Sequence, residues 1–136
     1  MVKLIVGNKG SGKTKKLIDM ANEAVKTTKG NVVCVEKGLK LTYDLDYAVR
    51  LVDIENYNIH NYDNLYGFLA GLFAGNYDIT EVFVDATFKI AGKNPLEFAA
   101  LVEKVAGLVS ENGANITFTV SCDASELPEG MHQYMI

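Results

Sequence analysis

The sequence predicts an α/β fold, a three-layer sandwich whose mainly parallel sheet is covered by helices on both faces. Two observations carry that prediction. Short apolar runs of the kind buried on both faces, such as Val2–Val6 and Val32–Val35, are separated by segments of helical period. Strand and helix signals then alternate along the chain, the pattern of strands joined by helical crossovers into a mainly parallel sheet. A length of 136 residues holds one core comfortably and is short for two, so 1–136 reads as one domain.

Each element has its own local signal. Val2–Val6 is the first strand, and a glycine-rich turn follows it. The next helix carries Leu17, Ile18, Ala21 and Val25 on one side and Lys15, Lys16, Asp19, Glu23 and Lys26 on the other, with Gly30 as its stop. Val32–Val35 is the second strand and runs into Glu36-Lys37-Gly38. Ala48–Ile54 reads as the third, with Asp53 and Glu55 at its end. Asp63 or Asn64 caps a helix reaching about Asn76. Gly67, Gly71 and Gly75 share one face of that helix. Each weakens it by roughly 1 kcal/mol relative to alanine, so the spacing predicts a close backbone contact with a neighbouring element.

Glu81–Asp85 is a strong strand signal, three apolar residues that deliver an acid. Asn94, Pro95 and Glu97 mark a helix start with cap, first-turn proline and capping-box partner. Leu101, Val105, Leu108 and Val109 form its buried face, and Gly113 ends it. Ile116–Val120 is the last strand and leads into Ser121. The tail from Ser125 has no regular pattern.

Composition excludes several classes. Apolar residues make up 49% and charged residues 22%, which fits a folded protein and neither a disordered segment nor a fibre. The net charge is −4 and Arg50 is the only arginine, which argues against nucleic-acid binding as the main task. The longest apolar stretch, Leu65–Ala74, is too short to span a bilayer. Met1 leads straight into a strand, without a cationic leader and cleavage site, so a cytoplasmic location without membrane attachment is expected. Cys34 and Cys122 read as buried free thiols. His60 and His132 are isolated and read as surface or packing residues. Six of the seven tyrosines lie between Tyr43 and Tyr77 and read as core and strand residues with one polar end in water.

The chemistry concentrates in Gly7-Asn8-Lys9-Gly10-Ser11-Gly12-Lys13-Thr14. These residues fit G-x-x-x-x-G-K-[ST] without a mismatch and lie between a strand and an amphipathic helix. Gly7, Gly10 and Gly12 let the backbone bend so that successive N–H groups point at a phosphate. The helix that follows adds its positive dipole end. Lys13 can bridge β- and γ-phosphates, and the Thr14 hydroxyl can hold Mg²⁺. Asp85 is the second metal-side group and acts through water, since Mg²⁺ keeps most of its hydration shell. Glu36, Glu55, Asp85, Ser121 and the loop all follow or close strands. They are therefore expected to converge beyond the carboxyl edge of the sheet, where ligands of such sheets bind.

In Gly7–Thr14 and Asp85 the chain resembles the Walker A and Walker B motifs of the P-loop NTPase superfamily, in its RecA-like type. The resemblance implies a P-loop NTPase fold, ATP and Mg²⁺ as ligands, and nucleoside-triphosphate hydrolase chemistry. Many such ATPases place a water-orienting glutamate directly after the Walker B acid, whereas Ala86 and Thr87 stand there in this chain. In RecA-like members the base closes another strand. Glu36 fits that role by order along the chain and Glu55 by local sequence. Ser121 takes the place of a polar residue that senses the γ-phosphate, and Lys9 reads as a solvated loop residue. Over its full length the chain resembles a group of short bacterial ATP-binding proteins, some labelled twitching-motility ATPases, and it corresponds to a nucleotide-binding core alone.

The function expected on these grounds is an ATP-binding protein with slow or partner-dependent hydrolysis, acting as a nucleotide switch. Arg50 is the only candidate arginine finger, and without one in place such sites can be roughly a thousandfold slower or more. A protein partner or a homo-oligomer suits a switch. A small-molecule or nucleoside kinase is one alternative, although neither an acceptor pocket nor an arginine-rich lid is legible. A non-hydrolysing interaction module that holds nucleotide to keep its fold is the other. The guanine-specifying N-K-x-D pattern is absent, which leaves ATP as the expected base choice.

Overall fold

The computed structural model describes every residue from Met1 to Ile136. Its regular elements are β1 (Val2–Gly7), α1 (Lys13–Thr27), β2 (Asn31–Glu36), β3 (Arg50–Asp53), α2 (Tyr62–Gly75), β4 (Ile79–Val84), α3 (Thr87–Ala91), α4 (Pro95–Asn112) and β5 (Asn115–Ser121). The five strands form one sheet in the order β1-β5-β4-β2-β3, and every pairing is parallel.

The apolar strand runs follow from burial on both faces. Neighbouring residues point to opposite sides of a strand, and here Leu4 and Ile5, Val33 and Cys34, and Val82 and Phe83 enter two different cores. The larger core packs against α2 and α4 through Leu65, Leu69, Leu101 and Val105. The smaller packs against α1 through Leu17 and Ala21, together with Leu41, Leu45 and Val49 from the β2–β3 connection. β5 is the exception in composition. Ile116, Phe118 and Val120 join the larger core, while Thr117 and Thr119 are buried on the opposite face, about 1% exposed.

Several boundaries differ from expectation, each for a physical reason. α1 stops at Thr27, short of Gly30. A Cβ at Gly30 would strike the Thr80 side chain and the Asp78 carbonyl, so that glycine serves a close chain approach, not a helix stop. The cap of α2 is Asn61, not Asp63 or Asn64. Its side chain accepts the Asn64 N–H at 2.8 Å, and buried Tyr62 is already helical. β3 is shorter than Ala48–Ile54 because Asp53 accepts the Glu55 N–H and turns the chain into a 3₁₀ helix over Ile54–Tyr57. α4 starts where read, with Asn94 accepting the Glu97 N–H at 3.0 Å, but the expected capping box does not close, because the Asn94 N–H donates to the Gly92 carbonyl. The tail forms 3₁₀ turns over Ala124–Glu126 and Glu129–Tyr134 and buries Leu127 and Met131. It ends beside β1, where the Ile136 N–H donates to the Leu4 carbonyl.

Two other expectations fail. A Cβ on Gly67, Gly71 or Gly75 would meet nothing within 4 Å, so no backbone packs closely on that face. α2 contacts α4 through its other side, where Tyr62 meets Phe98 edge-on and Lys104 lies over the Tyr66 ring. Gly71→Ala is therefore expected to raise stability by about 0.5–1 kcal/mol, seen as a higher denaturant midpoint at unchanged slope. A lower midpoint would show that the glycine face is used. Tyr43, Tyr47 and Tyr77 lie in connections and are 99%, 100% and 88% exposed, not core or strand residues. Tyr62 alone among the tyrosines is buried, its hydroxyl donating to the Gly92 carbonyl.

Cys34 and Cys122 are free and buried. Burial pushes both thiols above their ordinary range, and for Cys34 the charges of Asp85 and Glu36 add to it. Neither is poised to react as a thiolate. No helix is long and apolar enough to cross a membrane.

Candidate functional site

Because all five strands are parallel, their carboxyl ends share one edge. A cleft of about 780 Å³ lies there. Its lining includes the glycine loop, Glu36, Glu55, Asp85 and Ser121, so the residues expected to converge do so.

The loop is shaped by its glycines. Gly10 and Gly12 both have φ of +86°, a conformation that side chains with a Cβ rarely adopt. At Gly7 a Cβ would run into the Ser11 side chain. Ser11 donates its N–H to the Asn8 carbonyl at 3.1 Å, which closes the turn. Gly12 is the N-cap of α1, with no side-chain cap and no acid in the first turn. α2 and α4 instead begin with asparagine caps. The first-turn N–H groups of α1 and its positive dipole end are thus left to whatever occupies the cleft. Lys13 is only 9% exposed, and its ammonium donates to the Asn8 carbonyl at 3.0 Å, which holds it across the turn.

Charge in the cleft runs against the rest of the molecule. Lys9, Lys13, Lys15, Lys37, Lys40 and Lys89 line it, against the three carboxylates of Glu36, Glu55 and Asp85. In a chain of net charge −4 this concentrates positive potential beside the uncapped start of α1. The arrangement suits a polyanion.

Asp85 follows β4 directly and is 7% exposed. Its N–H donates to the Val35 carbonyl at 2.9 Å. The Thr119 hydroxyl donates to Oδ1 at 2.7 Å, and the Thr14 hydroxyl lies 3.3 Å from both carboxylate oxygens. β5 sits between β1 and β4, and the Val84–Phe118 register aligns Asp85 with Thr119. Hydroxyl and carboxylate oxygens are hard donors. Thr14 and Asp85 are the side chains of the cleft that could hold a hard cation such as Mg²⁺, which keeps much of its shell as water.

The two candidate bases occupy different surroundings. Glu36 ends β2 and is 3% exposed. Its Oε2 accepts the Leu41 N–H at 2.9 Å. Burial raises its carboxyl above the usual range; backbone N–H groups of Leu41 and Lys40 work against that, and the charge of Asp85 reinforces it. Glu55 sits exposed at the rim in the turn after β3, 3.8 Å from the Lys37 ammonium. Ser121 closes β5 opposite Gly7 and faces the cleft. Arg50 does not join them. It opens β3, paired with Val33, at the far end of a strand whose last residue is Asp53, and it lines a separate groove with Val52 and Gly71. Within its own chain it is no finger for this cleft. His60 and His132 are both exposed and outside the cleft.

Sequence reasoning missed Thr119, although its signal is present. In Ile116-Thr117-Phe118-Thr119-Val120 the polar residues recur every second position, marking a polar face on an otherwise buried strand. It also missed Lys89, which reaches the cleft because Ala86 takes a left-handed conformation, φ +53°, and turns the chain into α3. No protein-family model and no curated protein matches the chain.

Proposed function

We propose that the cleft binds ATP with Mg²⁺ on a P-loop NTPase fold of RecA-like type, and that the protein is a slow or partner-dependent ATPase working as a nucleotide switch. One observation carries the reading. The glycine-bent, uncapped start of α1, the Lys13 ammonium and the Thr14–Asp85 pair all face one lysine-lined cleft.

Each group has a task that its surroundings support. The loop amides and Lys13 take phosphate oxygens; an ammonium has three donors, so Lys13 can serve a phosphate and keep Asn8. Thr14 and Asp85 would hold Mg²⁺, which when bound neutralises phosphate charge. Glu36 is the better base than Glu55, because a buried carboxylate with a raised affinity for protons can accept one from water. Its second oxygen is not engaged by Leu41. With Arg50 far from the cleft of its own chain, an arginine finger would have to come from a partner or a second copy, which is the property a switch needs.

Thermal unfolding with ATP, GTP and ADP, each with Mg²⁺ or with chelator, tests this. ATP is expected to raise the midpoint, and more so with Mg²⁺. In Asp85→Asn the Mg²⁺-dependent increment is expected to disappear while the chelator-resistant part persists. No shift at millimolar ATP with Mg²⁺ would overturn the reading.

A further inference from the structure

We infer that Thr119 is a positioning residue that sets the cation affinity of this site by fixing the Asp85 carboxylate. The inference rests on the Mg²⁺–nucleotide reading above.

The hydrogen bonding leaves the hydroxyl one orientation. Thr119 Oγ1 accepts the Ala86 N–H at 2.7 Å and lies 2.7 Å from Asp85 Oδ1. A hydroxyl has a single proton, and an amide N–H cannot accept it. The proton therefore points at Asp85. One oxygen of the carboxylate is anchored by a short bond from β5, while the main chain of Asp85 is anchored by Val35 of β2. On the other side the Thr14 hydroxyl lies at a longer 3.3 Å from both oxygens, a contact that a cation could replace. The carboxylate is thus fixed on the sheet side and open on the α1 side.

Burial makes this arrangement strict. Thr119 is about 1% exposed, so no solvent substitutes for its hydroxyl if it is lost. Asp85 Oδ1 would then keep only the longer Thr14 contact and lose its anchor on the sheet side, and the Ala86 N–H would lose its acceptor at a residue already held at positive φ. Partners that orient a metal ligand typically change metal affinity by about 10- to 100-fold.

The test compares Thr119→Val with Thr119→Ser and Thr119→Ala, and uses Thr117→Val as a control on the same strand face. Nucleotide affinity is measured by calorimetry in chelator, and then as a function of Mg²⁺ and Mn²⁺. Thr119→Val is expected to weaken the cation dependence by about 10- to 100-fold, with chelator-resistant ATP binding changed less than about threefold. Thr119→Ser and Thr117→Val are expected to behave as wild type. If the valine variant does not fold, the serine and alanine variants still isolate the hydroxyl, since they differ by that group alone. Equal cation dependence in those two would overturn the inference. Wild type that binds ATP without any cation dependence would overturn it as well, while leaving the polyphosphate cleft intact. Wild type that binds no nucleotide would remove the reading on which it rests.

Discussion

Lys13→Ala is expected to weaken ATP binding by roughly two to three orders of magnitude, equivalent to about 3–4 kcal/mol, without unfolding the protein. The size follows from burial. The ammonium is nearly covered and fixed by the Asn8 carbonyl, so it meets a phosphate with little ordering left to do. Its removal takes away one charge-assisted partner of a polyanion in a partly dry cleft. The fold should tolerate the change, because Lys13 belongs to neither apolar core and its bond is local to the turn. Calorimetric titration checks both halves, with apo melting as the fold control. An unchanged affinity would mean that ATP, if it binds, binds elsewhere.

Glu36→Gln is expected to abolish most hydrolysis, by about 10²- to 10⁴-fold, and at the same time to stabilise the protein at neutral pH. Both effects have one origin. Burial raises the Glu36 carboxyl in the folded state above its unfolded value of about 4.3. A group with a raised folded pKa contributes stability fully below its unfolded pKa and loses it as pH rises through the folded one. Wild type therefore loses stability as pH rises above the unfolded carboxyl range and glutamine does not, while glutamine can still accept the Leu41 N–H. The midpoint difference, variant minus wild type, should grow from pH 4 to pH 8, reaching a few degrees. A difference that shrinks over that range would contradict the assigned environment. Glu55→Gln, exposed at the rim, should change neither turnover nor this pH profile by much.

How much of this was legible in the sequence depends on whether a feature was encoded locally. The loop residues Gly7–Thr14, the acid after β4 and the start of α4 are written in contiguous residues, and the structure places them as read. Glu36 and Glu55 could not be separated from sequence, because burial at a strand end depends on which strand lies alongside. β2 is flanked by β4 and β3, whereas Glu55 lies beyond the short edge strand β3. Arg50 illustrates the same limit: the end of the strand on which a residue lies decides which edge of the sheet it serves, and Arg50 opens β3 at the edge away from the cleft of its own chain. The glycines of α2 were read as a packing face because helical spacing cannot distinguish a covered face from an open one. Lys89 depends on a left-handed alanine, which no sequence rule anticipates.

The place of β1 in the sheet has a consequence for biosynthesis. β1 is made before the other four strands, yet its strand partner β5 lies more than a hundred residues later, and the Met1 amine itself donates to the Ala114 carbonyl. While the nascent chain is still emerging from the ribosome, the amide turn after β1 has no neighbour to hold it beside the acid of β4. The cleft must therefore await synthesis of β5, and a truncated product lacking β5 is expected to lose the ATP binding proposed for it.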